Sequence, residues 1–120
     1  MVKDKTNKVY TELIQYLKSI YPKIEGGTTY SETDVHFPYV YFFQLDSPTV
    51  LTTLSNTEDG VRNVYQVEVY TDTGTNSARK IASDIRSHMI SEGFRCMNFM
   101  PIVTPSNVSR FVARYGRLDV

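Results

Sequence analysis

The sequence predicts an α+β fold: a mainly antiparallel sheet with two helices on one face, in the order α-β-β-β-α-β-β. Two segments repeat apolar residues at three- to four-residue steps, which is typical of helices. Five segments are rich in β-branched and aromatic residues or alternate between apolar and polar. Short turns join neighbouring strands, so antiparallel pairing should dominate. We expect residues 1–120 to form a single domain, since 120 residues is an ordinary domain length.

The first helix is predicted from about Thr6 to Tyr21, with Thr6 or Asn7 as its cap and Pro22 as its stop. It carries two apolar stripes. The first consists of Val9, Leu13, Tyr16, Leu17 and Ile20, and the second of Tyr10, Ile14, Leu17 and Tyr21. Together they are wider than one packed face requires. Either the helix is wedged between the sheet and loops, or the second stripe meets another subunit.

The next part of the chain leads from turn-like residues into strands. Gly26-Gly27 has turn or loop chemistry, and a short strand can lie around Thr28–Tyr30. Phe37–Asp46 predicts a central, buried strand because both of its faces are apolar over part of its length. Thr49–Leu54 predicts the following strand. Asp59-Gly60 then supplies the positive-φ turn expected at a hairpin tip.

The second half of the chain predicts a long strand, a helix and two further strands. Along Val61–Thr71 apolar and polar residues alternate, so one side should be core and the other should face water or a partner. The second helix follows a cap at Thr75 or Asn76 and ends before Gly93. Its narrow apolar stripe consists of Ala78, Ile81, Ala82, Ile85 and Met89. The last two strands are predicted over Phe94–Val103 and Val108–Arg117.

Composition excludes several classes of protein. Lys and Arg number 13 against 13 Asp and Glu, so the net charge is zero, which argues against a surface devoted to nucleic acid or anionic membrane. The single Cys96 excludes an intrachain disulfide framework and a cysteine-built zinc site. The longest apolar run, Tyr39–Phe43, is far shorter than the ~18–20 residues of a spanning helix. With no secretion signal recognisable, we expect a protein made in a cytosol and kept there, or released by another route.

The sequence offers no recognisable catalytic pattern. His36 and His88 do not have the spacing of zinc or di-metal ligands. Glu68 and Asp72 are roughly 13 Å apart along an extended strand, whereas the metals of a two-metal centre lie ~3.5–4 Å apart. Cys96 has no histidine close in sequence. We therefore expect no catalytic residues, no metal and no cofactor, and an enzyme is the least favoured class.

Charges of the two signs are separated along the chain. Basic residues crowd the last strand (Arg110, Arg114, Arg117) and the second helix (Arg79, Lys80, Arg86). Acidic residues gather in predicted loops and turns, at Glu32, Asp34, Asp46, Glu58 and Asp59. Such a chain can pair head to tail with copies of itself. The alternative is an ordinary solvated surface.

Five local strings, in order, resemble the tail terminator or tail completion proteins of long-tailed bacteriophages. They are VYTELIQYL at 9–17, FPYVYF at 37–42, QVEVYT at 66–71, MISEGFR at 89–95 and RFVARY at 110–115. The resemblance covers roughly residues 6 to 117. It implies a non-enzymatic protein that forms a ring, usually a hexamer, on the tail tube, ends tube growth and joins the tail to the head or neck. The implied partners are copies of itself, the tail tube protein and a head–tail connector or neck protein.

The resemblance also implies a location in the virion tail, assembled in the host cytoplasm, where DNA passes through the ring without sequence-specific binding and no membrane is involved. It carries over no catalytic or cofactor residue. Our candidate subunit-interface residues are Tyr10, Ile14, Tyr21, Glu58, Asp59, Arg62, Arg110, Arg114 and Arg117. The hairpin from Ser47 to Arg62 looks like the element that would reach a neighbouring subunit or ring.

Two other functions stay open at this point. The first is a head–tail connector protein. The second is a stand-alone α+β module for a peptide or small ligand, which would show a closed apolar pocket among the aromatic residues of strand 37–46.

Overall fold

A computed structural model describes residues 6–28, 36–45, 49–52, 58–104 and 106–119. Within these residues the chain forms two helices and six strands. They are α1 (Thr6–Ile20), β1 (Glu25–Gly27), β2 (Tyr39–Gln44), β3 (Thr49–Thr52), β4 (Glu58–Thr71), α2 (Thr75–Ser91), β5 (Arg95–Ile102) and β6 (Ser109–Asp119). This confirms the predicted α+β class and the predicted element order, with the three-residue β1 added.

The strands form one sheet in the order β1-β2-β4-β6-β5, and β3 pairs with β4 beyond the end of β2. β4 is the longest strand, with 14 residues, and it pairs with β6 along one edge. Its other edge pairs first with β3 and then with β2. The pairing of β1 with β2 is parallel, and the other four pairings are antiparallel. The predicted mainly antiparallel sheet is therefore confirmed.

Both helices pack on the same face of the sheet, where the hydrophobic core lies. The core takes alternate residues from the three central strands: Val40 and Phe42 of β2, Tyr65, Val67 and Val69 of β4, and Phe111, Ala113 and Tyr115 of β6. Against them lie Val9, Leu13 and Leu17 of α1 and the whole predicted stripe of α2. The ring of Phe42, fully buried, lies between the rings of Tyr10 and Tyr65, at centroid distances of 5.5 and 5.0 Å.

Glycines shape both ends of α2. The residue before the helix is Gly74, at φ 107°, and no side chain caps the first turn, so the predicted cap at Thr75 or Asn76 is wrong. The predicted end is confirmed. Gly93 adopts φ 91°, which favours glycine, and the amide of Phe94 then donates to the carbonyl of Met89 at 3.0 Å.

Gly26 and Gly27 lie in a strand, so the loop predicted for them is wrong. Gly26 pairs with Val40 in β1, and a Cβ atom on it would overlap Cδ1 of Ile14 on α1. Glycine here permits a close approach of helix and strand, which has no local sequence signature distinct from that of a turn. Of the short strand predicted nearby, Thr28 follows β1 and residues 29–30 lie outside the described residues.

Asp59 and Gly60 also lie in a strand, so the turn predicted at these two residues is wrong. They belong to β4, where Gly60 pairs with Leu51 and Glu58 pairs with Thr52, and the register shifts between these two pairs. A register shift of this kind accommodates an extra residue, as glycine-containing bulges do. Residues 53–57, which connect the two strands, lie outside the described residues.

We expect Gly26→Ala to destabilise the fold by ~1–3 kcal/mol, because the added methyl group overpacks the contact with Ile14. The measurement is the free energy of unfolding in urea. Ile14→Val removes the overlapping Cδ1 atom, and such a substitution usually lowers the free energy of unfolding by ~0.5–1.5 kcal/mol. In the Gly26→Ala background the loss should be smaller, because the overlap is relieved. If the losses in the free energy of unfolding simply add in the double mutant, Gly26 and Ile14 are not in contact.

We expect Phe42→Ala to cost ~3–5 kcal/mol, since it leaves a cavity between Tyr10 and Tyr65. The neighbouring Phe43→Ala is a matched control, because Phe43 is half-buried on the opposite face of the same strand. Equal losses in the free energy of unfolding for the two variants would show that the faces of β2 are assigned wrongly.

Candidate assembly surface

The sheet has a second face, opposite the core, which the described helices do not cover. We call it the open face. It consists of Tyr39, Tyr41 and Phe43 on β2, Val64, Gln66, Glu68 and Tyr70 on β4, Arg110, Val112 and Arg114 on β6, and Asn98, Met100 and Ile102 on β5. The face follows from the alternation of side chains along each strand and from the register that sets these residues opposite one another.

A carboxylate lies buried at the centre of the open face. The side chain of Glu68 is only 4% exposed. Its Oε1 accepts hydrogen bonds from Nε of Arg110 at 2.7 Å and from the hydroxyl of Tyr70 at 2.6 Å. Its Oε2 accepts one from Nε2 of Gln66 at 2.6 Å. Buried charge is tolerated when it is paired and hydrogen-bonded in this way.

Gln66 carries the network onward to a second arginine. Its Oε1 accepts a hydrogen bond from Nε of Arg114 at 2.9 Å. The register explains the arrangement. Gln66 pairs with Arg114 and Tyr70 pairs with Arg110, and Glu68 lies between these two residue pairs. Five polar side chains on two strands thus hold one another in place, and the exposed Arg114 is directed by a hydrogen bond rather than left free.

The pairing with Glu68 sets the electrostatics of Arg110. Partial burial alone would lower the pKa of its guanidinium group. The hydrogen bond and the negative charge of Glu68 outweigh that effect and hold the pKa of Arg110 above its ordinary value. Arg110 therefore stays charged, and its charge is neutralised inside the subunit.

Apolar side chains flank the polar network on both sides. On β2 the rings of Tyr41 and Phe43 lie 4.6 Å apart and are half-buried. On β5, Met97 and Met100 are each 50% exposed. Aromatic residues, methionine and arginine are the types enriched at protein–protein interfaces. The accessible part of the open face, around its buried centre, therefore has the composition of a surface that another protein can cover.

The three arginines predicted on the last strand do not form one patch. Arg110 and Arg114 lie on the open face, whereas Arg117, an odd number of residues away, lies on the core side. Its Nη1 donates to the carbonyl of Glu92 at 2.9 Å, and its guanidinium carbon lies 4.3 Å from the centroid of the Phe94 ring. Arg117 also lines a cleft of about 320 Å³ beside Lys8 and Glu12.

The second stripe of α1 makes contacts within its own chain. Tyr10 packs against Phe42, and Ile14 lies against Gly26. The hydroxyl of Tyr21 donates to Asp84 of α2; burial, and next this hydrogen bond, raise the pKa of Tyr21. These contacts favour the wedged helix over a stripe reserved for another subunit. That Tyr10, Ile14 and Tyr21 also meet a neighbour stays a prediction.

The predicted hairpin residues lie at the other end of β4 from Tyr70. Glu58 and Asp59 begin the strand, and the backbone of Arg62 lies between Thr49 of β3 and Leu118 of β6. The structure therefore does not bring Glu58, Asp59 and Arg62 together with Arg110 and Arg114 in one site.

The alternation along β4 correctly predicts that Gln66, Glu68 and Tyr70 share the side away from the core, but these three are not among the predicted interface residues. The alternating polar side of this strand was visible, and opposite charges on facing strands are the signal that could have found the network. The register that pairs residue 70 with residue 110 was needed to find it.

The residues considered for chemistry are dispersed. His36 is exposed, and His88 stacks on Tyr16 at a centroid distance of 4.8 Å. Among the described residues no three His, Cys, Asp or Glu side chains are grouped to hold a metal ion. The aromatic side chains of β2 divide between the core and the open face. Neither α1 nor α2, the helices of the described residues, is long and apolar enough to cross a membrane.

We expect Glu68→Gln to destabilise the fold by ~1–3 kcal/mol, because an amide cannot accept all of these hydrogen bonds and leaves Arg110 without its counter-charge. Chemical denaturation measures the loss. Glu92→Gln is the control: Glu92 is exposed, and this substitution should change stability by less than ~0.5 kcal/mol. If the Glu68→Gln variant is as stable as the control, the network around Glu68 does not stabilise the fold.

Comparison with known proteins gives a structural likeness. No protein-family model matches the chain, and no curated protein matches it. Among solved structures, it is similar to a chain from the virion of a native gene transfer agent particle, with a TM-score of 0.51 and 14% sequence identity. The similarity covers 93% of this chain and 92% of that one. The two chains therefore share a fold over most of their lengths.

Proposed function

We propose that this protein is a non-enzymatic structural component of a virion, and that it forms a ring on the end of a tail tube, ends tube growth and joins the tail to the head or neck. The observation that carries the proposal is the fold it shares, over almost the full length of both chains, with a chain from a virion. The ordered strings that resemble tail terminator proteins point to the same class independently of that comparison.

The open face suits such a role. Its central network fixes Arg110 and Arg114 before any partner binds, so little side-chain entropy is lost on assembly. The methionines beside it can adapt to a partner surface. Zero net charge removes the long-range repulsion that would otherwise oppose packing copies into a ring.

The proposed partners are copies of this chain in a hexameric ring, the tail tube protein, and a head–tail connector or neck protein. DNA passes through the ring without sequence-specific contacts, and the protein resides in the virion tail after assembly in the host cytoplasm. Arg110 and Arg114 on the open face, and Glu58, Asp59 and Arg62 at the β3–β4 end, are the proposed contact residues.

A head–tail connector is the second candidate. The structural likeness is to a virion chain and names no position within that virion. The two candidates differ in partner: a terminator binds the end of the tail tube directly, whereas a connector binds the head side first. Binding of the purified protein to tail tubes and to heads, measured separately, distinguishes them.

Reversing the charges at the start of β4 tests the role of this end of the sheet. We expect the Glu58→Lys, Asp59→Lys double variant to stay folded, because charges at the end of a strand contribute little to stability, but to lose ring formation and tail capping. Circular dichroism reports the fold, and electron microscopy reports rings and tail length. Excessively long tails are the expected result.

The matched control is the Asp72→Lys, Glu92→Lys double variant, which changes the net charge equally at exposed positions elsewhere. It should cap tails as the unaltered protein does. Normal capping by the Glu58, Asp59 variant would remove these residues from the proposed contacts. An unaltered protein that neither forms rings nor binds tubes at high concentration would contradict the proposed function itself.

A further inference from the structure

Three strands of the sheet, β1, β3 and β5, have one edge without a partner among the described residues. β1 has three residues, two of which are glycines, so it offers a joining strand little side-chain surface. β5 lies at the end of the strand order and pairs with β6 alone. β3 pairs with β4 alone. Such edges present unpaired backbone N–H and C=O groups, which readily form hydrogen bonds with a strand of another chain.

The free edge of β5 is limited in length. Pro101 lacks an N–H group, and the register with β6 shifts between Cys96 and Asn98; both features hinder pairing with a further strand. The stretch between them, Asn98–Met100, is short, and the four residues of β3 are sufficient to match it. Met97, just before this stretch, and Met100, its last residue, are half exposed and supply apolar surface to a strand that joins it.

The free edges of β5 and β3 differ in the charge of the residues around them. Arg79 and Arg86 of α2 lie over the rings of Phe111 and Phe99, at 5.5 and 5.2 Å, and so project toward the β5 side of the sheet. Arg95, exposed, begins β5. Around β3, by contrast, Glu58 and Asp59 lie on the paired part of β4 and Asp119 of β6 pairs with Val61, against one arginine, Arg62, which pairs with Thr49. The β5 edge is therefore basic, and the β3 end of the sheet is acidic.

We propose that β3 of one copy adds to the free edge of β5 in the next copy. Pairing β5 with β5 would bring two sets of arginines together, whereas pairing β5 with β3 brings opposite charges together. A contact between two different surfaces propagates from copy to copy and closes into a ring when the rotation permits. This inference rests on the proposed ring function and adds to it the two strands that join neighbouring subunits.

Disulfide cross-linking between copies tests the contact, with Cys96→Ser as the background. One protein carries Thr49→Cys or Thr52→Cys, at opposite ends of β3, so that both strand directions are covered. The other carries Asn98→Cys on β5 and a tag that gives the mixed dimer its own mass. When the mixture is oxidised at high concentration, the yield of mixed dimer for one of the two β3 positions should be about fivefold above the background yield. The reason is that pairing of the strands raises the effective concentration of the two thiols.

The background is measured with Ser19→Cys, an exposed position on α1, in place of Asn98→Cys. Mixed dimers no more abundant than this control, for both β3 positions, would overturn the proposal. Efficient dimers of the Asn98→Cys protein alone would also overturn it, since they show β5 pairing with itself. If the protein caps tails but this cross-link does not form, the β3–β5 contact is wrong and the proposed function stands. If the cross-link forms but the protein does not cap tails, the contact stands and the proposed function is wrong.

The proposed charge complementarity between the β3 and β5 edges has a separate readout in the same assay. Arg86→Glu in the β5 partner, or Glu58→Lys in the β3 partner, should each lower the yield of mixed dimer. The two substitutions together should restore part of it, because opposite charges again face each other. Yields that do not respond to either reversal would overturn the proposed complementarity.

Discussion

The pairing of β4 with β6 is the contact on which the rest of this structure depends. Its register runs from Val61 with Asp119 to Thr71 with Ser109, so it aligns both faces of the sheet at once. On the core side it sets Tyr65 beside Tyr115, whose full burial raises the pKa of the Tyr115 hydroxyl. On the open face the same rungs bring Glu68 to Arg110. A slip by one residue would exchange the two faces.

Much of the fold could be predicted because its signals are local. The stripe of α2 and the alternation along β4 both report which side faces the core, and both agree with the structure. The two wrong turn predictions have a common cause. Gly26 and Gly60 have the local sequence of turn residues, yet Gly26 permits a close approach of α1, and Gly60 lies beside a shift in strand register. In both cases the tertiary structure, and not a local turn, explains why glycine is present.

The candidate surface was harder to predict, because it depends on the register between Glu68 and Arg110, which are 42 positions apart in the sequence. Grouping Arg110, Arg114 and Arg117 by their closeness in sequence was misleading. In a strand, side chains two or four residues apart share a face, and those three or seven apart do not. That parity was available without a structure and separates Arg117 from the other two.

The structure also changes where a charge-driven contact between copies should be sought. Arg110 is paired with Glu68 within the subunit, so its charge is no longer available to attract a neighbour. Arg79 and Arg86 lie over aromatic rings instead, and no carboxylate among the described residues pairs with them. An arginine over a ring keeps its full charge while its position is restrained. The charges of Arg79 and Arg86 are therefore available for association beside the free edge of β5. The open face, whose buried charge is neutralised, is better suited to a partner that makes hydrogen bonds and apolar contacts.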